Sequence, residues 1–211
     1  NLYINNELVT KAVITTATEI SICAFYNCTS LTEVTIGNSV KSINGSAFNN
    51  CYNLTNVTIE NGVTNIDNGA FYYCSNLKSI TIPNSVEVLA DNAFNSCYSL
   101  TEVTIPNSVE VVGDYAFAYC SSLTDVYYEG SESAWGNITI GVDNIALTSA
   151  RIHYNTDLTP IVDVTGTNVT CVRNVVTYDA DKVDSTANLP FTATNVVYAE
   201  MIVSKEEDDI I

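Results

Sequence analysis

The sequence predicts a repeat solenoid, a chain that winds one coil per repeat around a shared interior. Three observations predict it. The residue pattern returns every 23 positions without slip from Leu31 to Ser122. Each period opens with apolar and polar residues in alternation, the mark of a strand buried on one face. A single period also carries too few large apolar side chains to offset the ordering of its own backbone, so neighbours must share their faces.

Started at leucine, the copies are LTEVTIGNSVKSINGSAFNNCYN (31–53), LTNVTIENGVTNIDNGAFYYCSN (54–76), LKSITIPNSVEVLADNAFNSCYS (77–99) and LTEVTIPNSVEVVGDYAFAYCSS (100–122). A worn copy, LVTKAVITTATEISICAFYNCTS (8–30), fits the same frame, with Lys11 where the others have an apolar residue. Divergent capping coils occupy 123–155, where LTDVYY (123–128) and LTSARIHY (147–154) open two further segments. Seven openings result, at Leu8, Leu31, Leu54, Leu77, Leu100, Leu123 and Leu147.

Within a period the fourth and sixth residues, such as Val34 and Ile36, face inward on the first strand. The tenth and thirteenth, such as Val40 and Ile43, form a second apolar pair after an Asn-Ser or Asn-Gly turn. Ala47, Phe48 and Cys51 fit one face of a short helical turn. Neighbouring strands lie about 4.8 Å apart, so seven of them make a parallel sheet about 30 Å long. Asn38, Asn61, Asn84 and Asn107 fall at one turn, where an asparagine bonds its own backbone and identical turns stack.

Cys28, Cys51, Cys74, Cys97 and Cys120 share one position of successive coils. Stacked about 4.8 Å apart and pointing the same way, they do not suit a disulfide, whose Cβ atoms converge to about 3.8 Å. A column of buried free thiols is the better reading. A metal site is the sharper alternative, but the repeats lack histidine and parallel thiols do not form a tetrahedron. Cys23 and Cys171 fall outside the column, and their pairing is open.

The chain has 211 residues, 46% hydrophobic and 15% charged, which excludes a disordered polyelectrolyte. Its formal net charge is −17, with acids along the whole length, so phosphate backbones and anionic lipid are repelled. Nucleic acid is excluded as a partner, and no apolar run is long enough for a membrane helix. The first residue is Asn1 and no signal peptide is present, so we expect a processed or truncated piece whose signal and anchor lie elsewhere. Asn-x-Ser/Thr sequons, as at Asn56 and Asn137, are expected by chance in a chain this rich in Asn and Thr.

The string carried by Leu100, Val103, Ile105, Pro106, Asn107, Ser108, Val109, Ala116, Phe117 and Cys120 resembles the BspA-like leucine-rich repeat family of bacterial surface proteins. The stretch VYYEGSESAWGNITIGVDNIALTSARIHYN (126–155) is similar to the segment that closes such arrays. The resemblance covers about residues 1–155. It implies a leucine-rich-repeat right-handed coil with a parallel β-sheet on the concave face, and short second strands and helical turns elsewhere. It also implies an extracellular or cell-surface module that binds host or bacterial surface proteins, matrix proteins or glycans. It brings no active site and no cofactor. The departures at Lys11 and Ala17 suit an N-terminal capping coil.

Residues 156–211 lie outside the resemblance. IVDVTGTNVTCV (161–172) and NVVYAEMIVS (195–204) read as strands, with DSTANLP (184–190) as a loop. A small β-rich C-terminal extension or partial domain is expected.

Outward positions of the first strands form columns that are candidates for binding. The third is Glu33, Asn56, Ser79, Glu102 and Asp125, and the fifth is Thr35, Thr58, Thr81, Thr104 and Tyr127. The seventh includes Gly37, Glu60, Pro83, Pro106 and Glu129, joined by His153 from the last strand, which also carries Arg151. Such a face is a broad shallow binding surface. For the threonines alone, their preference for exposed strands is the better explanation of the column. Ice binding is discounted, because the neighbouring column mixes charges and amides.

An enzyme needs more. Glu102 and Asp125 sit one strand apart, near the spacing of retaining glycosidases, but without a cleft. His153 is the only histidine and no G-x-S-x-G motif occurs, so no nucleophilic triad is assembled. No catalytic or metal residue is assigned; a carbohydrate-active enzyme and a structural spacer stand as alternatives to a binding module. Trp135 is expected to anchor the cap, with Ser131 as a helix cap, or less readily to stack on sugar. Tyr26, Tyr52, Tyr72, Tyr73, Tyr98, Tyr115 and Tyr119 lie at or beside the turns. Of these, Tyr72, Tyr73, Tyr98 and Tyr119 mark a candidate aromatic contact edge, with partial packing between coils as the equal alternative.

Overall fold

A computed structural model of the chain describes residues 3–4, 6–157 and 175–176. The chain divides into two compact units, Asn1–Tyr154 and Asn155–Ile211. In the first, a short antiparallel hairpin, β1 (Tyr3–Ile4) and β2 (Glu7–Leu8), precedes the coils. Each coil then supplies a longer strand and a two-residue one. They run as β3 (Lys11–Ile14) and β4 (Glu19–Ile20), β5 (Glu33–Ile36) and β6 (Ser42–Ile43), and β7 (Asn56–Ile59) and β8 (Asn65–Ile66). They continue as β9 (Ser79–Thr81) and β10 (Val88–Leu89), β11 (Glu102–Ile105) and β12 (Val111–Val112), and β13 (Asp125–Tyr128). The closing segment adds α1 (Glu132–Trp135), β14 (Thr139–Ile140), α2 (Ile145–Ser149) and β15 (Arg151–His153). In the second unit β16 (Thr156–Asp157) pairs antiparallel with β17 (Val175–Val176). The strands expected at 161–172 and 195–204, the loop at 184–190 and Cys171 lie outside the described residues.

The second strands form one parallel sheet in the order β14-β12-β10-β8-β6-β4. The first strands form two parallel sheets, β3-β5-β7 and β9-β11-β13-β15. At the seventh position Gly37, Glu60 and Glu129 each donate a backbone N–H to the preceding coil. Pro83 and Pro106 have no N–H to give, so their two seams each lose that bond.

The central register keeps the 23-residue period: Glu33 faces Asn56, and Glu102 faces Ser79 and Asp125. Both ends depart from the expected frame. Lys11 faces Glu33 and Val13 faces Thr35, a step of 22, so Lys11 points outward in the third column and replaces no core residue. Leu8 opens no coil; it faces Tyr3 in the hairpin and is 48% exposed. One residue is missing from the turn between β3 and β4, because Ile20 facing Ile43 restores the step to 23. At the other end Leu147 lies buried on α2, and the last strand enters at Arg151, facing Asp125.

The interior is a set of stacked columns. Leu31, Leu54, Leu77, Leu100 and Leu123 are buried in one file, and Phe48, Phe71, Phe94 and Phe117 in another. From Phe25 to Phe117 the rings stack with centroids 4.9–5.3 Å apart, a spacing set by the coil repeat. The thiols of Cys51, Cys74, Cys97 and Cys120 each donate to the carbonyl of a phenylalanine one coil back, as Cys51 does to Phe25 at 3.0 Å. All five column cysteines are buried and free, while Cys23 is exposed and free. Burial pushes the Cys51 and Cys120 thiols up to about 12 and those of Cys74 and Cys97 well above their ordinary value.

The Ala-Phe-Cys segment forms turns tied to the next coil. Ala24, Tyr26 and Cys28 donate N–H three residues back, whereas Cys23, Phe25 and Asn27 donate to the following coil. This alternation needs left-handed backbone at two positions per coil. One column holds Cys23, Ser46, Gly69, Asn92 and Tyr115; the other holds Asn27, Asn50, Tyr73, Ser96 and Tyr119, all with φ between 56° and 63°. Glycine and asparagine adopt this conformation at least cost.

The last coil is closed by its own aromatic cluster. Tyr128 is buried and meets Trp135 edge-on, with centroids 5.2 Å apart. Ser131 caps α1 by accepting the Ala134 N–H at 3.2 Å. Gly130 leaves room for the Tyr128 ring: a Cβ there would sit 2.6 Å from a ring carbon.

Candidate functional site

The site grows from the outward residues of the first strands. The third column reads Lys11, Glu33, Asn56 in one sheet and Ser79, Glu102, Asp125, Arg151 in the other. The fifth reads Val13, Thr35, Thr58, then Thr81, Thr104, Tyr127, His153. Glu60 is in the seventh column and accepts the Asn38 N–H at 3.0 Å. His153 is thus in the fifth column, not the seventh where the Leu147 frame puts it. The entry of β15 at Arg151 moves it.

This shift joins residues that the sequence reading kept apart. The His153 ring stacks on Tyr127, with centroids 4.7 Å apart and planes 13° off parallel. His153 Nε2 meets Asp125 Oδ1 at 2.8 Å, and the other carboxylate oxygen accepts the Thr124 hydroxyl at 2.8 Å. These bonds, His153 first, hold the Asp125 carboxyl below its ordinary range, and Arg151 adds to the effect. Burial raises the Tyr127 phenol, and the negative charges of Glu102 and Asp125 raise it further against Arg151. Thr104, beside Tyr127 in register, is only 8% exposed, so the threonine file ends beneath an aromatic wall. The signal for this grouping is the alternation RIHY, in which Ile152 packs on the core and Arg151 and His153 alternate outward.

Chemically the cluster offers a half-buried aromatic pair, a bound carboxylate, a second carboxylate at Glu102 and a guanidinium. Asp125 is occupied by His153 and Thr124, so it is not a second carboxyl facing Glu102 across a cleft. At the opposite end Lys11 Nζ and Glu33 pair at 2.6 Å, with Lys11 exposed and Glu33 about half-buried. Among the described residues no group of three or more His, Cys, Asp and Glu side chains is placed for a metal ion. A cleft of about 390 Å³ opens elsewhere, on the second-strand side between the third and fourth coils, where Thr64, Asp67, Ser85 and Glu87 line it.

The tyrosines of the turn edge fall in separate places. Tyr72 lies 5.5 Å from Tyr73, which meets Tyr98 edge-on at 5.6 Å. The Tyr98 and Tyr73 hydroxyls hydrogen-bond at 3.1 Å, and this bond lowers the Tyr98 phenol and raises that of Tyr73. Tyr119 is 69% exposed on the fifth coil.

Comparison with known proteins follows the same geometry. A family model described as the BspA type leucine rich repeat region matches residues 2–124 in six copies. Among solved structures, a leucine rich cell surface protein from Faecalibacterium prausnitzii A2-165 is 33% identical with a TM-score of 0.60, over 62% of this chain and 35% of that one. The leucine rich repeat protein of T. pallidum is 28% identical with a TM-score of 0.55, over 64% of this chain and 71% of that one. A leucine-rich repeat protein from Bacteroides ovatus ATCC 8483 is 25% identical with a TM-score of 0.55, over 68% of this chain and 36% of that one. The chain thus spans about a third of the length of the first and third of these relatives. No curated protein matches the chain. Among the described residues no helix is long and apolar enough to cross a membrane.

Proposed function

The chain belongs to the BspA-type leucine-rich repeat family, and from that premise we propose that it is a non-catalytic binding module of a cell-surface or secreted protein. Its ligand is a surface protein, a matrix protein or a glycan, held across the first-strand face. The observation that carries this reading is the change along the fifth column. Small threonines run as far as Thr104, then Tyr127 and His153 stand up as a stacked pair beside the facing pair Asp125 and Arg151. A flat polar floor bounded by an aromatic wall, with charges of both signs beside it, grips an amphipathic ligand. Glu33, Asn56, Thr58, Ser79 and Thr81 supply the floor. The family and the cell-surface relative support a location outside the cell.

The test is binding of the labelled chain to arrays of glycans and immobilised matrix proteins. Tyr127→Ala should lower affinity for any hit about tenfold or more, as loss of a central aromatic anchor does. Thr58→Arg and Thr81→Arg, both at exposed positions, should block it by bulk. Thr104 is too enclosed to carry such a probe. Turnover of a bound glycan that is abolished by Glu102→Gln would instead establish an enzyme. Indifference of every hit to all three face variants would overturn binding by this face, and the absence of any hit would leave a spacer.

A further inference from the structure

The fifth coil carries a second exposed surface, on its turn edge and away from the first strands. Tyr115 is 40% exposed and Tyr119 is 69% exposed; Val142 and Ile145 of the closing segment are 58% and 70% exposed. The Tyr115 N–H donates to the Val142 carbonyl, so the two chain segments run side by side. Tyr115 occupies the left-handed position that Gly69 and Asn92 fill in other coils, and Tyr119 the one that Asn27, Asn50, Ser96 and one other tyrosine, Tyr73, fill. A bulky residue strains this conformation; the Tyr115 hydroxyl bonds the Asp143 carboxylate, whereas Tyr119 lies mostly in water. Folding alone does not account for Tyr119.

The backbone under this surface is locked. Buried Asn144 accepts the Phe117 N–H at 2.9 Å and donates to the carbonyls of Gly113 and Gly141, each at 2.9 Å. Asp114 Oδ1 accepts the Val142 N–H at 2.9 Å. A rigid display of aromatic and aliphatic groups loses little entropy on binding. The surroundings are acidic: Asp114 and Asp143 flank Tyr115, and between Lys78 and Arg151 the chain has nine acids and no lysine or arginine.

We propose that this edge docks an arginine- or lysine-rich segment of a partner protein. Tyrosine faces attract guanidinium groups, Val142 and Ile145 cover their aliphatic stems, and the carboxylates of Asp114 and Asp143 answer their charge. A second copy of this chain is disfavoured as the occupant, since it brings the same negative charge. The site is independent of the first-strand face.

A synthetic peptide of four Arg-Gly-Leu repeats, with its Glu-Gly-Leu counterpart as control, tests this by titration calorimetry at physiological salt. The arginine peptide should bind and the glutamate peptide should not. Tyr119→Asn should raise the Tm by relieving backbone strain, and it should weaken the arginine peptide about tenfold or more. Ile145→Ser should weaken it as well, while Tyr52→Ser, at an exposed tyrosine of another coil, should not. These variants preserve net charge, so general attraction to an acidic chain is unchanged in all of them. Equal affinity of wild type and Tyr119→Asn, equal losses in Tyr52→Ser, or no binding by wild type would overturn the proposal. Thr81→Arg should leave the peptide affinity unchanged, which separates this result from failure of the first-strand-face reading.

Discussion

Replacing Phe71 by alanine tests whether the coils share one continuous interior. Phe71 is fully buried and stacked between Phe48 and Phe94 at 5.2 and 5.3 Å. Deleting a buried phenylalanine costs about 3–5 kcal/mol through lost transfer energy and the cavity left behind. Each stacked pair holds about 0.5–1.5 kcal/mol of that. Phe25 is half-buried and has one stacking partner, so Phe25→Ala should cost roughly half as much. Urea denaturation followed by far-ultraviolet circular dichroism measures both. The double variant of Phe48 and Phe71 should show coupling of about 0.5–1.5 kcal/mol, whereas Phe25 and Phe94, two rungs removed from contact, should add within about 0.5 kcal/mol. Equal costs for Phe25→Ala and Phe71→Ala, or additivity between Phe48 and Phe71, would refute a continuous ladder.

The buried thiols predict a weakness at alkaline pH. The folded values of Cys51 and Cys120 stand at about 12 against an ordinary 9.0. Because the folded value is raised, the stabilisation is complete below pH 9 and is lost as the pH climbs from 9 to 12. The full gap is worth about 4 kcal/mol per thiol, and Cys51→Ala should flatten the fall in unfolding free energy by about 1.4 kcal/mol per pH unit between pH 9 and 11. Asn144→Ala should cost about 3 kcal/mol in thermal or urea unfolding, since it strips the buried Phe117 N–H of its acceptor and two carbonyls of a donor.

The solenoid was legible because stacking makes each core position answer to its own copy in the next coil. Leu31, Val34, Ile36, Phe48 and Cys51 recur at every step, and their columns are the columns of the structure. The frame was hardest to read at the ends, where a coil has one neighbour and the repeat is less constrained. Leu8 matched the leucine of the consensus, yet Val9 and Thr10 take the places of Leu31 and Thr32, as the Thr32 N–H on the Thr10 carbonyl shows. Leu147 misled in the same way, and with it the column of His153. The left-handed turn positions had a faint signal in Asn27, Asn50, Asn92 and Gly69. Tyr73, Tyr115 and Tyr119 hid it, because their side chains do not suit the backbone they occupy.

That conflict indicates where function sits on a repeat protein. A residue that matches its column is explained by stacking, which returns the same answer at every coil. A residue that departs from its column has either a structural task at an end or a task outside the fold. Burial separates the two. Tyr128 takes the place of Ile105, is buried and meets Trp135, so it belongs to the cap. Tyr127, its neighbour, takes the place of Thr104 but faces outward and carries His153 on its ring. Tyr119 stands where Asn50 and Ser96 would fold more easily, and most of it lies in water. Tyr127 and Tyr119 are therefore departures that the interior does not require, and they mark the two surfaces on which the proposed ligands are to be tested.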